Sequence, residues 1–508
     1  MMSVVDTKKI AGNTLMLYLR MGLVLLISLY TSRVILDSLG EIDFGIYNSV
    51  GGIVAMFAFL SGTLATSCQR FFMVEMGKGD WEQLRKVFSL CLVTFLCLAG
   101  IIVVVTEPAG LWFLLHKMKL EGRTEAAQWV FHCSILSCVA SMVSLPFQGM
   151  VIAREKMKVF AYISVFEALG ALGIALLLTR SGGDHLKLYA VLMLLMQCII
   201  ASCYILYCRR FFPECRFVRS WDKSLFRQIF SFTGWNLIGS AAGIFKAHGG
   251  NLLLNMFYGP AVNSARGMAM KVFGMVSQLR ENFIMASKPQ LMMSYSSGQT
   301  REMEKLVYQT GKFSNYLLML LAIPFCLEMP FLLSVWLKEV PQYTSVFAVL
   351  LLATALIEGL DTSLTVVIHA HGDMKRYQLC TGGVQLLFLP VTYLMLKFGS
   401  YPPQIVLYLA MAFSLVTTFI RVYFARVLVG LKPIDFLKKT VLPVLVTSAI
   451  ALCAGWLVRS TMEPGWIRLL CVGATCVCVQ ALAVWFLGMT GSERNTLVRA
   501  ARKKLGLS

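Results

Sequence analysis

Charged residues are scarce in this sequence. Of 508 residues only 14% are Asp, Glu, Lys or Arg, against 57% hydrophobic, whereas soluble globular chains run near a quarter charged. That deficit excludes a soluble globular protein. Acidic residues are scarcer still, 26 against 46 Lys and Arg. No G-x-x-x-x-G-K-[ST] phosphate loop occurs, and no hydrophilic stretch is long enough to fold as a nucleotide-binding or catalytic domain. No C-x-x-C occurs either. Most of the fifteen cysteines sit in apolar runs, where Cys behaves as a small hydrophobe, so neither a disulfide framework nor a metal site is expected. Nothing points to a cofactor or to nucleic acid.

What is there is a succession of long apolar segments. They fall at about 12–36, 44–67, 87–106, 128–152, 159–179, 187–207, 229–257, 261–287, 312–337, 344–371, 376–397, 404–425, 441–458 and 467–488, each near the ~20 residues that cross a bilayer as a helix. The first follows Lys8 and Lys9, contains Arg20 and is too long for a signal-peptide core, so it reads as a retained span. The expected fold is all-α, a polytopic membrane protein of about fourteen transmembrane helices.

The positive balance of +20 reads as a topological signal. With both termini cytoplasmic, most Lys and Arg outside the spans fall on the inner side, as the positive-inside rule requires. The richest inner loop carries Arg209, Arg210, Arg216, Arg219, Lys223 and Arg227 and lies halfway along the spans. It divides the chain into an N-terminal six-helix lobe (1–208), a basic linker (209–228), a C-terminal six-helix lobe (229–428), and a segment (429–508) of two further helices with a basic tail.

The halves also resemble each other at a constant offset of about 219 residues. Gly40 falls on Gly259, Met56 on Met275, Gly79 on Gly298 and Lys86 on Lys305, and residues 76–86 (MGKGDWEQLRK) align with 295–305 (YSSGQTREMEK). An even number of spans separates the copies, so both face the same way, an arrangement that some transporters use.

Chemistry concentrates in ionisable residues at membrane depth, which are costly there and persist where they line a cavity or pair. The basic set is Arg20, Arg33, Lys246, Arg266, Lys271 and Arg280; the acidic set is Glu167, Glu281, Glu328, Glu358 and Asp361. On the eighth span Arg266, Phe273, Ser277 and Arg280 share one helical face, while Lys271 and Gln278 point elsewhere; a helix polar on two sides does not suit lipid. On the seventh, Gly239, Gly243, Lys246 and Gly250 form a strip that suits close helix packing, and Gly249-Gly250 is a candidate helix break. On the tenth, Thr354, Glu358, Asp361 and Thr365 form a polar stripe at helical spacing. Two readings fit that stripe: a carboxylate pair that holds a proton or cation for ion coupling, or a structural ion pair with a basic partner. Glu167 carries the same two readings. The basic helices are expected to line a cleft between the lobes, which favours an anionic substrate; a pyrophosphate needs several Arg or Lys donors.

The residues Ala11-Gly12-Asn13-Thr14, the run from Thr31 through Ser32, Arg33 and Asp37 to Gly40, and Phe44-Gly45-Ile46-Tyr47 resemble bacterial polysaccharide-lipid flippases of the Wzx type, in the multidrug/oligosaccharidyl-lipid/polysaccharide (MOP) exporter superfamily. The resemblance implies two six-helix lobes, a cationic cavity, two extra C-terminal helices and ion-driven flipping of undecaprenyl-pyrophosphate-linked oligosaccharide in the bacterial inner membrane. It implies that Arg20, Arg33, Lys246, Arg266, Lys271 and Arg280 hold the anionic headgroup. A proton or sodium ion would be coupled through Glu167, Glu358 and Asp361. Membrane lipids, and a polysaccharide polymerase with its chain-length machinery, are the partners it implies. A MATE-like exporter of drugs or metabolites is the second reading. A membrane-embedded glycan polymerase is the third and is disfavoured, because the outer loop at about 107–127 offers Glu107, Glu121 and Glu125 but no catalytic constellation. No enzyme activity is expected.

Overall fold

In hydrocarbon every backbone N–H and C=O needs a partner from within the protein, which leaves helices and closed barrels as the spanning structures. The computed structural model describes residues 7–57, 68, 71–72, 75–76, 80–154, 156–218, 242–243, 245–246, 248–296, 300–371, 375–495 and 498, and there is no strand among them. The side chains of Arg20 and Met56, and residues Gly79, Arg219, Lys223, Arg227, Gly239, Gly298, Arg499, Arg502, Lys503 and Lys504, lie outside the described residues.

The helices are α1 (Thr7–Phe57), α2 (Trp81–Lys117), α3 (Thr124–Ala153), α4 (Met157–Leu178), α5 (His185–Phe211), α6 (Pro260–Ser296), α7 (Thr300–Trp336), α8 (Thr344–His371), α9 (Lys375–Phe398) and α10 (Ile405–Val429). A short α11 (Pro433–Phe436) runs through a π-helical turn (Leu437–Val441) into α12 (Leu442–Thr461). Then α13 (Trp466–Ala483) closes in a second π turn (Val484–Gly488). Helix 248–258 precedes α6.

Among the described residues eleven helices are long and apolar enough to cross a membrane. The first two expected spans are merged in α1, which breaks at Gly40 (φ 74°, ψ 173°), and much of the seventh lies outside the described residues. The eighth, α6, is too polar to count, although its 37 residues reach about 55 Å, well past the ~30 Å of hydrocarbon.

The internal repeat has a clear structural counterpart. Helices α2 and α7 are each 37 residues long, starting at 81 and 300 and ending at 117 and 336, in both cases 219 apart. The starts of α3 and α8 (124, 344), α4 and α9 (157, 375) and α5 and α10 (185, 405) are 220, 218 and 220 apart. Gly40 and Gly259, which the offset aligns, both take positive φ, 74° and 95°, a region that glycine enters without a Cβ penalty. Each sits at the turn into the second helix of its half.

By contacts the chain forms two compact units, Met1–Gly267 with Leu389–Pro403, and Met268–Phe388 with Gln404–Ser508. In the first, Phe88, Phe95, Phe147, Met150, Tyr204 and Cys208 pack α2, α3 and α5 together. At one end Arg154 pairs with Glu214 and covers the Trp81 ring at 4.7 Å. Elsewhere Arg123 donates to both oxygens of Asp43 (2.9 and 2.7 Å) and to Asp184 (2.7 Å), joining α1 and α5 to the start of α3. Asp184 lies between spans: burial pushes its carboxyl up, but Arg123 and the N–H groups it caps outweigh that and hold it below the usual value.

In the second unit Leu291, Val307, Leu364, Tyr377, Phe424 and Phe436 form a core. The last helices are fastened to α7 by two buried ion pairs. Glu328, fully buried between Pro324 and Pro330 where α7 leaves helical geometry (φ −105°, ψ 16°), accepts from Arg468 at 2.8 Å with Arg459 at 4.0 Å. Lys312 donates to both oxygens of Glu493 (3.0 and 2.8 Å). All fifteen cysteines are unpaired.

Candidate functional site

In the first unit a polar cluster forms where the second part of α1 meets 248–267. Small residues make the approach possible. A Cβ on Gly45 would fall 1.8 Å from the Pro260 carbonyl oxygen, and one on Gly267 would fall 2.9 Å from Asn48 Nδ2. Ser49, one turn on from Gly45, is fully buried. Its hydroxyl donates to Gly45 O (2.8 Å) and accepts from Asn263 Nδ2 (2.5 Å) and, at a longer 3.5 Å, Asn255 Nδ2. Asn263 also donates to Asn251 O (3.0 Å), and Asn255 Oδ1 accepts the Lys119 backbone N–H (3.0 Å).

One turn beyond Asn263 lies Arg266, buried, with its guanidinium against Gly250: a Cβ there would come within 2.5 Å of Nη1. The Gly249-Gly250 pair does not break its helix, since 248–258 is continuous. Its glycines supply room instead, Gly250 for Arg266 and Gly249 for Leu389 of α9, whose Cδ2 would lie 2.4 Å from an added Cβ. Arg33 and Lys246 are half-buried in this unit and Glu167 is exposed on α4.

Helix α6 continues into the second unit. Lys271 is exposed there, whereas Ser277 and Arg280 are buried, so the face that carries Arg266, Ser277 and Arg280 is the covered one. Arg280 donates to Glu281 Oε1 (3.2 and 2.5 Å) and to the Ala355 carbonyl (2.7 Å). That bond brings it to α8, one turn before Glu358. Glu358 accepts from Ser414 Oγ (2.7 Å), and Asp361, fully buried, accepts from Thr418 Oγ1 (2.5 Å) and Arg421 Nη1 (2.6 Å). The structure therefore gathers Arg280, Glu358 and Asp361 along α8.

Sequence reasoning missed Arg421. The signal was available: Ser414, Thr418 and Arg421 are spaced by 4 and 3 on α10, the same rhythm as Thr354, Glu358 and Asp361 on α8. Two complementary polar stripes on adjacent apolar helices are a pairing signal. The asparagines 251, 255 and 263 were also passed over, since an uncharged amide is less conspicuous than a cation, although it too needs a partner in an apolar setting.

These features lie in a chain whose residues 7–286, more than half of its length, match the family described as polysaccharide biosynthesis protein. The chain belongs to that family. No curated protein matches the sequence of this family member, but solved structures match its fold. The lipid II flippase MurJ in an inward closed conformation superposes with a TM-score of 0.69 at 11% identity, covering 92% of this chain and 97% of that one. An inward-facing MATE family multidrug transporter of the MOP superfamily gives 0.63 at 14%, covering 80% and 94%. The MATE multidrug transporter DinF-BH gives 0.59 at 14%, covering 84% and 98%. The likeness is one of fold, and it spans nearly the whole of each neighbour. One of these neighbours belongs to the MOP superfamily, the superfamily that the residues from Ala11 to Tyr47 resemble.

Proposed function

We propose that this polysaccharide biosynthesis family member is a Wzx-type flippase. It moves undecaprenyl-pyrophosphate-linked oligosaccharide units from the inner to the outer leaflet of the bacterial cytoplasmic membrane by alternating access, for O-antigen, capsule or exopolysaccharide assembly. Both termini are cytoplasmic in this reading, and a polymerase with its chain-length machinery takes the product. The observation that carries the proposal is α6, a long helix in a polysaccharide family that buries two arginines, Arg266 and Arg280, on one face.

A buried guanidinium is retained against a large desolvation cost, and its fork matches phosphate oxygens two at a time. Arg266 beside Gly250 is assigned to the pyrophosphate, with Arg20, Arg33, Lys246, Lys271 and Arg280 as further donors along its route. The chain performs no covalent chemistry: the lipid tail stays in hydrocarbon while the headgroup crosses. Coupling to a proton or sodium gradient is assigned to Glu358 and Asp361, with Glu167 as a further site. Protonating Asp361 removes the charge that holds Arg421 and Thr418, so the α8–α10 contact responds to the ion. Deletion of the protein from its host should accumulate lipid-linked repeat units on the inner leaflet. Normal surface glycan in the deletion strain would refute the proposal.

The similarity in fold to MATE transporters favours a second reading, export of drugs or metabolites. It predicts altered dye efflux with unchanged glycan in the same strain.

A further inference from the structure

The second unit holds another polar cavity, lined by none of the residues to which transport is assigned. Its volume is about 400 Å³, and its wall includes Arg301, Lys305 and Lys312 of α7, Lys438 and Lys439 of the π turn before α12, and the carboxylates Glu304 and Glu493. Lys312 is satisfied by Glu493 and Lys439 by Asp435 (3.1 Å). Among the described residues no carboxylate is paired with Arg301, Lys305 or Lys438. The wall therefore carries an excess of positive charge.

Its surroundings are apolar. Ile434, Leu437, Leu442, Phe486 and Leu487 are exposed beside it, as side chains facing acyl chains are. A neighbouring, mainly apolar cavity of about 490 Å³ shares Lys305, Gln309, Met489 and Glu493 with it. All of these segments belong to the ends of helices that the sequence assigns to the cytoplasmic side. Cations at the rim of hydrocarbon meet lipid headgroups before they meet soluble anions, and basic pockets between helices on that side suit phosphate headgroups.

We propose that this cavity binds the phosphodiester headgroup of an anionic glycerophospholipid, with Arg301, Lys305 and Lys438 as the principal cations. The bound lipid bridges the start of α7, the turn before α12 and the segment after α13, adding to the Lys312–Glu493 pair between α7 and that segment and to the Thr440–Tyr308 bond between the turn and α7. The inference does not depend on what the protein transports.

The test uses the full-length protein in neutral detergent, with retained lipid read by native mass spectrometry. Phosphatidylglycerol should be retained in preference to phosphatidylcholine. The Lys438→Glu/Lys439→Glu variant should lose about tenfold in phosphatidylglycerol retention, and Lys438→Arg/Lys439→Arg should keep it. Lys305→Gln, on an exposed turn of α7, serves as the second variant should the first fail to fold, and it should also weaken retention. Equal retention of the two lipids, or undiminished retention in the folded charge-reversal or Lys305→Gln variant, would overturn the proposal. Displacement of phosphatidylglycerol by an equal concentration of inorganic phosphate would overturn the lipid assignment, because the cavity would then be a simple anion site.

Discussion

A Cβ at Gly45 would lie 1.8 Å from the Pro260 carbonyl oxygen, whereas one at Gly52, two turns on, would lie 3.7 Å from His248 Nδ1. The first clash is with backbone, which no rotamer change relieves; the second is ordinary contact. Gly45→Ala is therefore expected to cost about 3 kcal/mol or more of stability, and Gly52→Ala almost nothing, measured as thermal unfolding in detergent. Equal unfolding midpoints would mean that α1 does not need to approach Pro260 so closely. A similar contrast holds at Asp361, whose partners are Arg421 and Thr418. Arg421→Ala leaves a fully buried carboxylate without its cation, a loss of about 3–5 kcal/mol. Asp361→Asn/Arg421→Met removes both charges and should recover most of that loss. A double variant no more stable than Arg421→Ala would show that the pair does not act as a unit. Gly45 was not legible in the sequence, and Arg421 was legible only as a matching polar stripe on a helix that the sequence could not place beside α8. Glycine at 45 reads as one more small residue until Pro260 is seen against it, and Arg421 is separated from Asp361 by 60 residues that include the whole of α9.

Elements were far more legible than their contacts. Apolar length and the offset of 219 located the helices, because both are properties of the chain itself, and the matched ends of α2 and α7 follow from them. What fastens α12 and α13 to α7 was not legible, since Lys312, Glu328, Arg468 and Glu493 become partners only through tertiary folding. The Glu493 end of that fastening is sensitive to pH. Burial pushes its carboxyl up, but the Lys312 ammonium and the Thr490 backbone N–H outweigh burial and hold it below the ordinary carboxylate value. A group whose folded pKa is depressed stabilises the fold above its unfolded pKa, near 4.5, and that contribution is lost as pH falls through the lower, folded value. Acidification below about pH 4.5 should therefore loosen the segment after α13 before α7 itself, read as faster hydrogen exchange over 489–495. In Glu493→Gln the rate should be independent of pH over that window, once intrinsic exchange is divided out. An unchanged pH dependence in that variant would assign the effect to another carboxylate.

The whole molecule is a membrane chain with few charges, and its basic residues at membrane depth have different surroundings. Arg280 is occupied by Glu281 and the Ala355 carbonyl, and Lys271 is exposed. Arg266 is buried beside Gly250 and one turn from a cluster of neutral amides. If cationic groups hold an anionic headgroup during transport, these sites should contribute unequally, and Arg266, whose guanidinium lies in the space that Gly250 leaves, should matter most. Arg266→Ala removes a buried cation together with its contacts, so transport is compared only in protein that is shown to be inserted and folded in detergent. Transport, followed as surface glycan in cells and as headgroup translocation in proteoliposomes, should fall by at least about tenfold, the scale of one charge-assisted hydrogen bond to phosphate. Arg266→Lys should retain part of the activity, because an ammonium keeps the charge but not the bidentate fork. Gly250→Ala acts on the same guanidinium from the other side: the clash is with the far end of a flexible side chain, so the fold should survive while transport falls. Wild-type transport in both Arg266→Ala and Gly250→Ala would remove this arginine from the substrate's route and leave it a structural residue of the first unit.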